Sequence, residues 1–140
     1  MKQIMDALRD ILTHDPILIS WTGRDIRGDP KMYPRPIPSD VQPPFLAYEM
    51  SPGQEPIGVY GDQHAILVPH FQVTVWDTTD TRAWQFWALV QETLEHGEWS
   101  VPLLPYKKML LKRLGNEYAL PEQETHWTYI PTTYRLPLSK

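Results

Sequence analysis

Five of the fourteen residues from Met32 to Phe45 are proline: Pro34, Pro36, Pro38, Pro43 and Pro44. Each fixes φ and removes a backbone donor, so this stretch can neither continue a helix nor form the middle of a sheet. Three roles are open to it: a linker between two cores, a polyproline ligand for a partner, or a stiff crossover within one domain. A P-x-x-P ligand spaces its prolines by three so that they share a ridge. Here the first three are spaced by two. A linker needs a core on each side, and only one predicted helix precedes this segment. The remaining reading is an extended arm over about 28–44, with Pro43-Pro44 just ahead of the first ladder bonds of a strand. Tyr33 and Arg35 lie along this arm, where they are also candidates for contact with a neighbouring copy.

The elements around the arm follow from hydrophobic periodicity. Ile4, Met5, Leu8, Ile11 and Leu12 form one stripe of a helix over 2–13, with Lys2, Asp6, Arg9 and Asp10 on the other side. Asp15-Pro16 stops it, because proline pushes its predecessor out of the α region. Residues 17–44 show no sustained period after a short apolar patch from Ile17 to Trp21. Phe45–Met50 reads as a strand stopped by the turn chemistry of Ser51, Pro52 and Gly53, and a loop is expected over 51–64. In Ala65–Trp76, Phe71, Val73 and Val75 alternate with Gln72, Thr74 and Trp76, with Pro69 marking an edge or a bulge. Asp77–Thr81 is a cluster of capping residues, and the helix that follows places Ala83, Phe86, Trp87, Val90 and Leu94 on one face before Gly97 ends it. Strands are predicted at Lys107–Leu114 and Thr125–Leu136, the latter with Pro131 and Pro137 at edges or bulges. The order α-β-β-α-β-β predicts a single α+β domain over 1–140, with two main helices on a mostly antiparallel four-stranded sheet.

Composition narrows the function. With 41% hydrophobic and 21% charged residues the chain is globular in type, and 140 residues suit one core. It has no cysteine, so disulfides and thiolate metal sites are excluded. The formal charge of −4 gives no electrostatic reason to bind nucleic acid, and the cluster Lys107, Lys108, Lys112 and Arg113 is interrupted by apolar residues. No run approaches the ~20 apolar residues of a membrane span, and the first helix carries acids where a signal peptide has an apolar core. There is no G-x-S-x-G elbow, glycine-rich phosphate loop or H-E-x-x-H. Asp62, His64 and His70 match no recognised metal spacing, and Glu92, Glu95 and Glu98 read as a solvated helix face. Pro102–Lys107 fits P-x-x-P-x-K, but its apolar filling suits a loop leading into a strand. No catalytic residue, cofactor or metal is expected.

Two tryptophans stand out. Trp84 falls off the centre of its helix's apolar face, beside Gln91, and Trp76 falls opposite Phe71 and Val75. They pack under the long loops or anchor a subunit interface, where tryptophan and tyrosine are enriched.

The whole succession is similar to a known family. An amphipathic helix, the Asp15-Pro16 break, the turn from Gly23 to Ile26, the proline-rich passage into PPFLAYEM, HFQVTVWD running straight into a helix, and a final strand with alternating aromatics resemble the tail-terminator or tail-completion proteins of long-tailed bacteriophages, akin to the minor tail protein U of phage lambda. The resemblance spans about residues 3–136. It implies a structural virion protein, made in the host bacterial cytoplasm, that forms a ring with itself, a hexamer, on the end of the tail tube. The ring would stop tube polymerisation and meet the head-side connector protein, with DNA passing through unbound and no membrane contact. On the reading of the residues themselves, Tyr33, Arg35, Trp76 and Trp84 are the candidates for a subunit or ring interface, and Gln54, Tyr60 and Asp62 of the loop are candidates for contact with a neighbouring ring. Six copies at −4 each carry −24, which suggests an acidic channel on which DNA slides. The alternatives are a related neck or head–tail joining component, or a monomeric module that takes a peptide or small ligand between helices and sheet.

Overall fold

Asp15-Pro16 ends one helix and begins another. The computed structural model describes residues 2–57, 66–97, 99, 107–108, 111–114 and 117–139. Within them α1 runs Lys2–Thr13 and α2 Pro16–Thr22. Asp15 is the N-cap of α2: its Oδ1 accepts from the N–H groups of Ile17 (2.9 Å) and Leu18 (3.2 Å), and Pro16 takes a first-turn position where no N–H is required. The other carboxylate oxygen accepts from Thr93 Oγ1 at 2.6 Å. The expectation of two main helices is therefore corrected to three. Seven residues hold only two turns, too few for a stripe to register as a period.

The remaining elements are β1 (Met32–Pro34), β2 (Phe45–Ile57), β3 (Ile66–Asp77), α3 (Asp80–His96), β4 (Lys107–Lys108), β5 (Lys112–Leu114), β6 (Leu120–Pro121), β7 (Thr128–Arg135) and β8 (Leu138–Ser139). The class is α+β, but the sheet is mixed and larger than the predicted four antiparallel strands. Its main path is β1-β2-β3-β7-β5, with β1 parallel to β2 and the other pairings antiparallel. The predicted strand at Lys107–Leu114 divides between two partners, Lys107–Lys108 on β8 and Lys112–Leu114 on β7.

Ser51, Pro52 and Gly53 do not end β2. Met50 pairs with Phe71 and Gln54 with Pro69, so the turn residues are absorbed as an irregularity and the ladder resumes to Ile57↔Ile66. The expected loop over 51–64 thus starts as strand. Pro69 sits at this bulge in a strand paired on both sides. Pro131 lies opposite Thr74, and its other side falls between Leu114↔Thr133 and Leu120↔Tyr129, where neither β5 nor β6 pairs with it. β8 keeps the register of β7 on β3, so Pro137 interrupts one continuous pairing.

Each face of the sheet has its own core. The helix side buries Leu46, Tyr48, Phe71, Val73, Val75, Ile130 and Tyr134 against Ile4, Leu8 and Leu12 of α1, Leu18 of α2, and Ala83, Phe86, Val90 and Leu94 of α3. Gln91 is buried too, because its Nε2 donates to the Tyr134 hydroxyl beneath it, and Trp87 Nε1 donates to Thr132 Oγ1 at 2.9 Å. Asp77, fully buried at the end of β3, ties three elements together. Its Oδ2 accepts from Trp21 Nε1 of α2 at 3.0 Å, and its Oδ1 from Arg82 Nε of α3 at 3.0 Å, while the Arg82 guanidinium lies 4.7 Å over the Trp21 ring. Among the described residues no helix is long and apolar enough to cross a membrane.

Candidate subunit interface

The second core explains the arm. On the sheet face away from the helices, Phe45, Trp76 and Tyr129 stand side by side on β2, β3 and β7, because register pairs Phe45 with Trp76 and Trp76 with Tyr129. Their rings stack at 4.8 and 6.0 Å, and Trp127 meets Phe45 edge-on at 6.1 Å. Tyr33, Val41 and Ile37, all from the arm, pack into this cluster. The arm therefore lies on its own sheet and supplies the cover that no helix provides on that side.

A tight turn holds the start of the arm. Arg24 bridges to Pro30, Asp25 N donates to Asp29 O at 2.8 Å, and Gly28 N donates to Asp25 O at 3.0 Å. Gly28 has φ 84°, the left-handed value a tight turn of this kind asks of its last position. The Asp25 side chain accepts from Arg27 N, Asp29 N and Tyr33 Oη at 2.9, 3.0 and 2.9 Å. Burial acts to raise the Asp25 carboxyl, but the hydrogen bonds from Asp29, Tyr33 and Arg27 outweigh it and hold it below its ordinary value. The Tyr33 hydroxyl is pushed up to about 12, by burial first and then by its bond to Asp25.

Of the residues singled out from sequence, Trp76 is only 8% exposed and Tyr33 is likewise buried, both with partners in their own chain. Of the two roles open to Trp76, the structure shows the first: it packs under the arm, in a second core that the alternation of β3 could not reveal. Arg35 is exposed, 5.4 Å over the Trp76 ring and 3.3 Å from Glu49 Oε1. Trp84 keeps an outward surface, 36% exposed, and meets Trp87 at 5.3 Å in a T-shaped pair. Arg113 of β5 covers the other side of that pair, 5.0 Å over Trp87 and within ion-pair reach of Glu95 and Glu117. Gln54 lies in β2 opposite Pro69, while Tyr60 and Asp62 lie outside the described residues. The structure does not gather these positions into one patch: Trp84 is on α3 and Arg35 on the opposite face of the sheet.

Two recesses flank α1. One, an open groove of about 550 Å³, runs between α1 and the arm and is lined by Met5, Asp6, Arg9, Tyr33 and Tyr48. The other, of about 510 Å³, lies where the ends of α1 and α3 meet. Between helices and sheet, by contrast, the space is occupied by core side chains. Among the described residues no group of three or more His, Asp or Glu is placed to hold a metal ion.

The chain matches no family model and no curated protein sequence. Its fold does match solved structures. One is a chain of a structure described as "Virion of native gene transfer agent (GTA) particle", with a TM-score of 0.73 at 15% identity over 98% of this chain and 95% of that one. At that identity the likeness is one of fold, and it extends over nearly the whole of both chains.

Sequence reasoning passed over Ile26, the most exposed large apolar side chain on the described surface at 93%. The signal was present: an isoleucine between Asp25 and Arg27, in a turn closed by Gly28, where polar residues ordinarily stand.

Proposed function

We propose that this chain is a structural virion protein that caps the tail tube as a ring of its own copies, ending tube growth and forming the joint to the head-side connector. One observation carries the reading: the fold is shared, nearly end to end, with a chain of a gene transfer agent virion. Trp84, half-turned to solvent, and a grooved surface around α1 support assembly through protein contacts. The chain acts by shape, so no catalytic residue is assigned. Tube protein and connector are its partners, and DNA traverses the ring without specific contacts.

Particles made without this chain test the proposal. Tails of uncontrolled length that fail to join heads, restored when the purified protein is added back, are expected. Tails of normal length that fail only at joining would assign the chain to the neighbouring neck instead. Complete, infectious or transfer-competent particles would overturn both.

A further inference from the structure

Three tyrosines are buried, and two of them end in a hydrogen bond: the Tyr33 hydroxyl donates to Asp25 at 2.9 Å, and the Tyr134 hydroxyl accepts from Gln91. The third, Tyr48, is 2% exposed, and its hydroxyl forms no hydrogen bond among the described residues. It lines the open groove of about 550 Å³ between α1 and the arm. Burial raises this hydroxyl above its ordinary value, so at neutral pH it is an O–H with its lone pairs unused. The apolar lining of the groove comes from Met5 of α1 and from Met32 and Pro34 of β1.

The other polar groups at the groove decide what can meet Tyr48. Its donors are already engaged: Arg9 lies 3.8 Å from Asp6, and Arg27 lies 3.6 Å from Asp25. The Met32 N–H is bonded to Pro30 O, and Pro34 has none. The acceptors are free. The carbonyls of Met32 and Pro34 leave the outer edge of β1, because the bonds from Leu46 N to Lys31 O and from Arg35 N to Tyr48 O put the alternate residues on the far side. The Asp29 carboxylate, exposed on the groove, has no partner among the described residues. Three carboxylates, Asp6, Asp25 and Asp29, stand here against two guanidiniums, which leaves a negative charge. A surplus of acceptors beside an apolar lining suits a cation that carries several donors on a methylene stem. Arginine is that side chain.

We infer that the groove between α1 and the arm receives an arginine side chain of a partner protein, its stem over Met5, Met32 and Pro34 and its guanidinium donating to the Tyr48 hydroxyl. The inference takes from the reading above only that the chain meets other proteins. The probe is a blocked glycyl-arginyl-glycine peptide, titrated into the whole chain with isotope-labelled methionine methyls, with citrulline and glutamate peptides beside it. Saturable shifts of Met5 and Met32, with Met50 outside the groove unmoved, are expected for the arginine peptide alone. Tyr48→Phe removes a hydroxyl that bonds nothing in its own chain, so the melting temperature should hold while affinity falls about tenfold. Asp29→Asn, at an exposed site, should weaken binding by about threefold. No saturable shift, an equal response to the citrulline or glutamate peptide, or binding unchanged by Tyr48→Phe would overturn the inference. So would a lower melting temperature of Tyr48→Phe, which would give the hydroxyl a partner within its own chain. Shifts of the same methyls with protein concentration alone would make the occupant a second copy and overturn a separate partner. None of these results touches the ring reading, which particles made without the chain decide separately.

Discussion

Gly97 and Gly28 are glycines for opposite reasons. At Gly97 the backbone is extended (φ −73°, ψ 156°), open to any residue, but a Cβ there would sit 2.3 Å from Thr93 O and 2.7 Å from Ile11 Cδ1. The glycine lets the end of α3 close down on α1. Gly97→Ala should therefore cost about 1–3 kcal/mol of stability in urea denaturation, as overpacking does. Around Gly28 the space is open and only its positive φ resists a side chain, so Gly28→Ala should cost about 1–2 kcal/mol through backbone strain alone. A second residue-scale prediction concerns pH. Tyr33 titrates near 10 when unfolded and near 12 when folded, so its neutral form favours the folded state. That stability is fully present below pH 10 and is lost as pH rises from about 10 to about 12. Tyr33→Phe should flatten the part of the alkaline stability profile that Tyr33 contributes, and the buried Tyr134, also raised by burial, should retain its own. Asp25 has the reverse sign: its lowered carboxyl stabilises the turn above the ordinary carboxylate range, and the contribution is lost as pH falls through its folded value.

At the scale of elements, the prolines of the arm do more than stiffen it. Leu46 N donates to Lys31 O and Arg35 N donates to Tyr48 O, so the alternate residues, Met32 and Pro34, turn their backbone groups away from β2. The Met32 N–H is taken by Pro30 O at 2.8 Å, and Pro34 has none. The outer edge of β1 thus has no N–H to offer an added strand, which protects a sheet edge from pairing with another chain. Asp77 does a different job, joining the end of β3 to α2 and α3. Asp77→Ala would leave the Trp21 indole N–H and the Arg82 guanidinium without their acceptor. Because Arg82 is half exposed and regains water, a loss of about 2–3 kcal/mol is expected, chiefly from the unpaired indole N–H and the lost charge-assisted bond. The conservative Asp77→Asn, which keeps an acceptor oxygen for one of the two donors, should lose less in the same denaturation experiment.

For the whole molecule, β2 and β3 form the longest pairing among the described residues. Its described ladder ends at Ile57↔Ile66. Paired residues stand about 5 Å apart, a gap that a two-residue turn closes. Replacing residues 58–65 by Asn-Gly should leave the circular dichroism spectrum and melting temperature close to those of the parent, while particles carrying the variant fail to join tails to heads. Normal joining would show that this end of the molecule does not meet the neighbouring ring. The alternation of Phe71, Val73 and Val75, the stripe of α1 and the capped start of α3 were all legible in the chain, and with them the α+β class. The seat of the arm on the sheet was not: that Val41 and Ile37 cover Trp76 is known only from the folded chain.

Features written in local order were readable because backbone geometry repeats every 3.6 or 2 residues and leaves its period in the side chains. The same holds for the arm, since each proline constrains its own bond and its neighbour's. α2 was too short to show a period, and its start depends on a carboxylate that also reaches Thr93, far along the chain. The bulge that carries β2 past Gly53, the parallel seat of β1 and the burial of Trp76 are likewise settled by partners distant in sequence. Alternation along β3 says that its two faces differ, but not that Val41 and Ile37 will cover the second one. Such cover rests on the free energy of burying aromatic surface between segments some thirty-five residues apart, Val41 and Trp76, and pairing at that distance leaves no periodic mark on either segment.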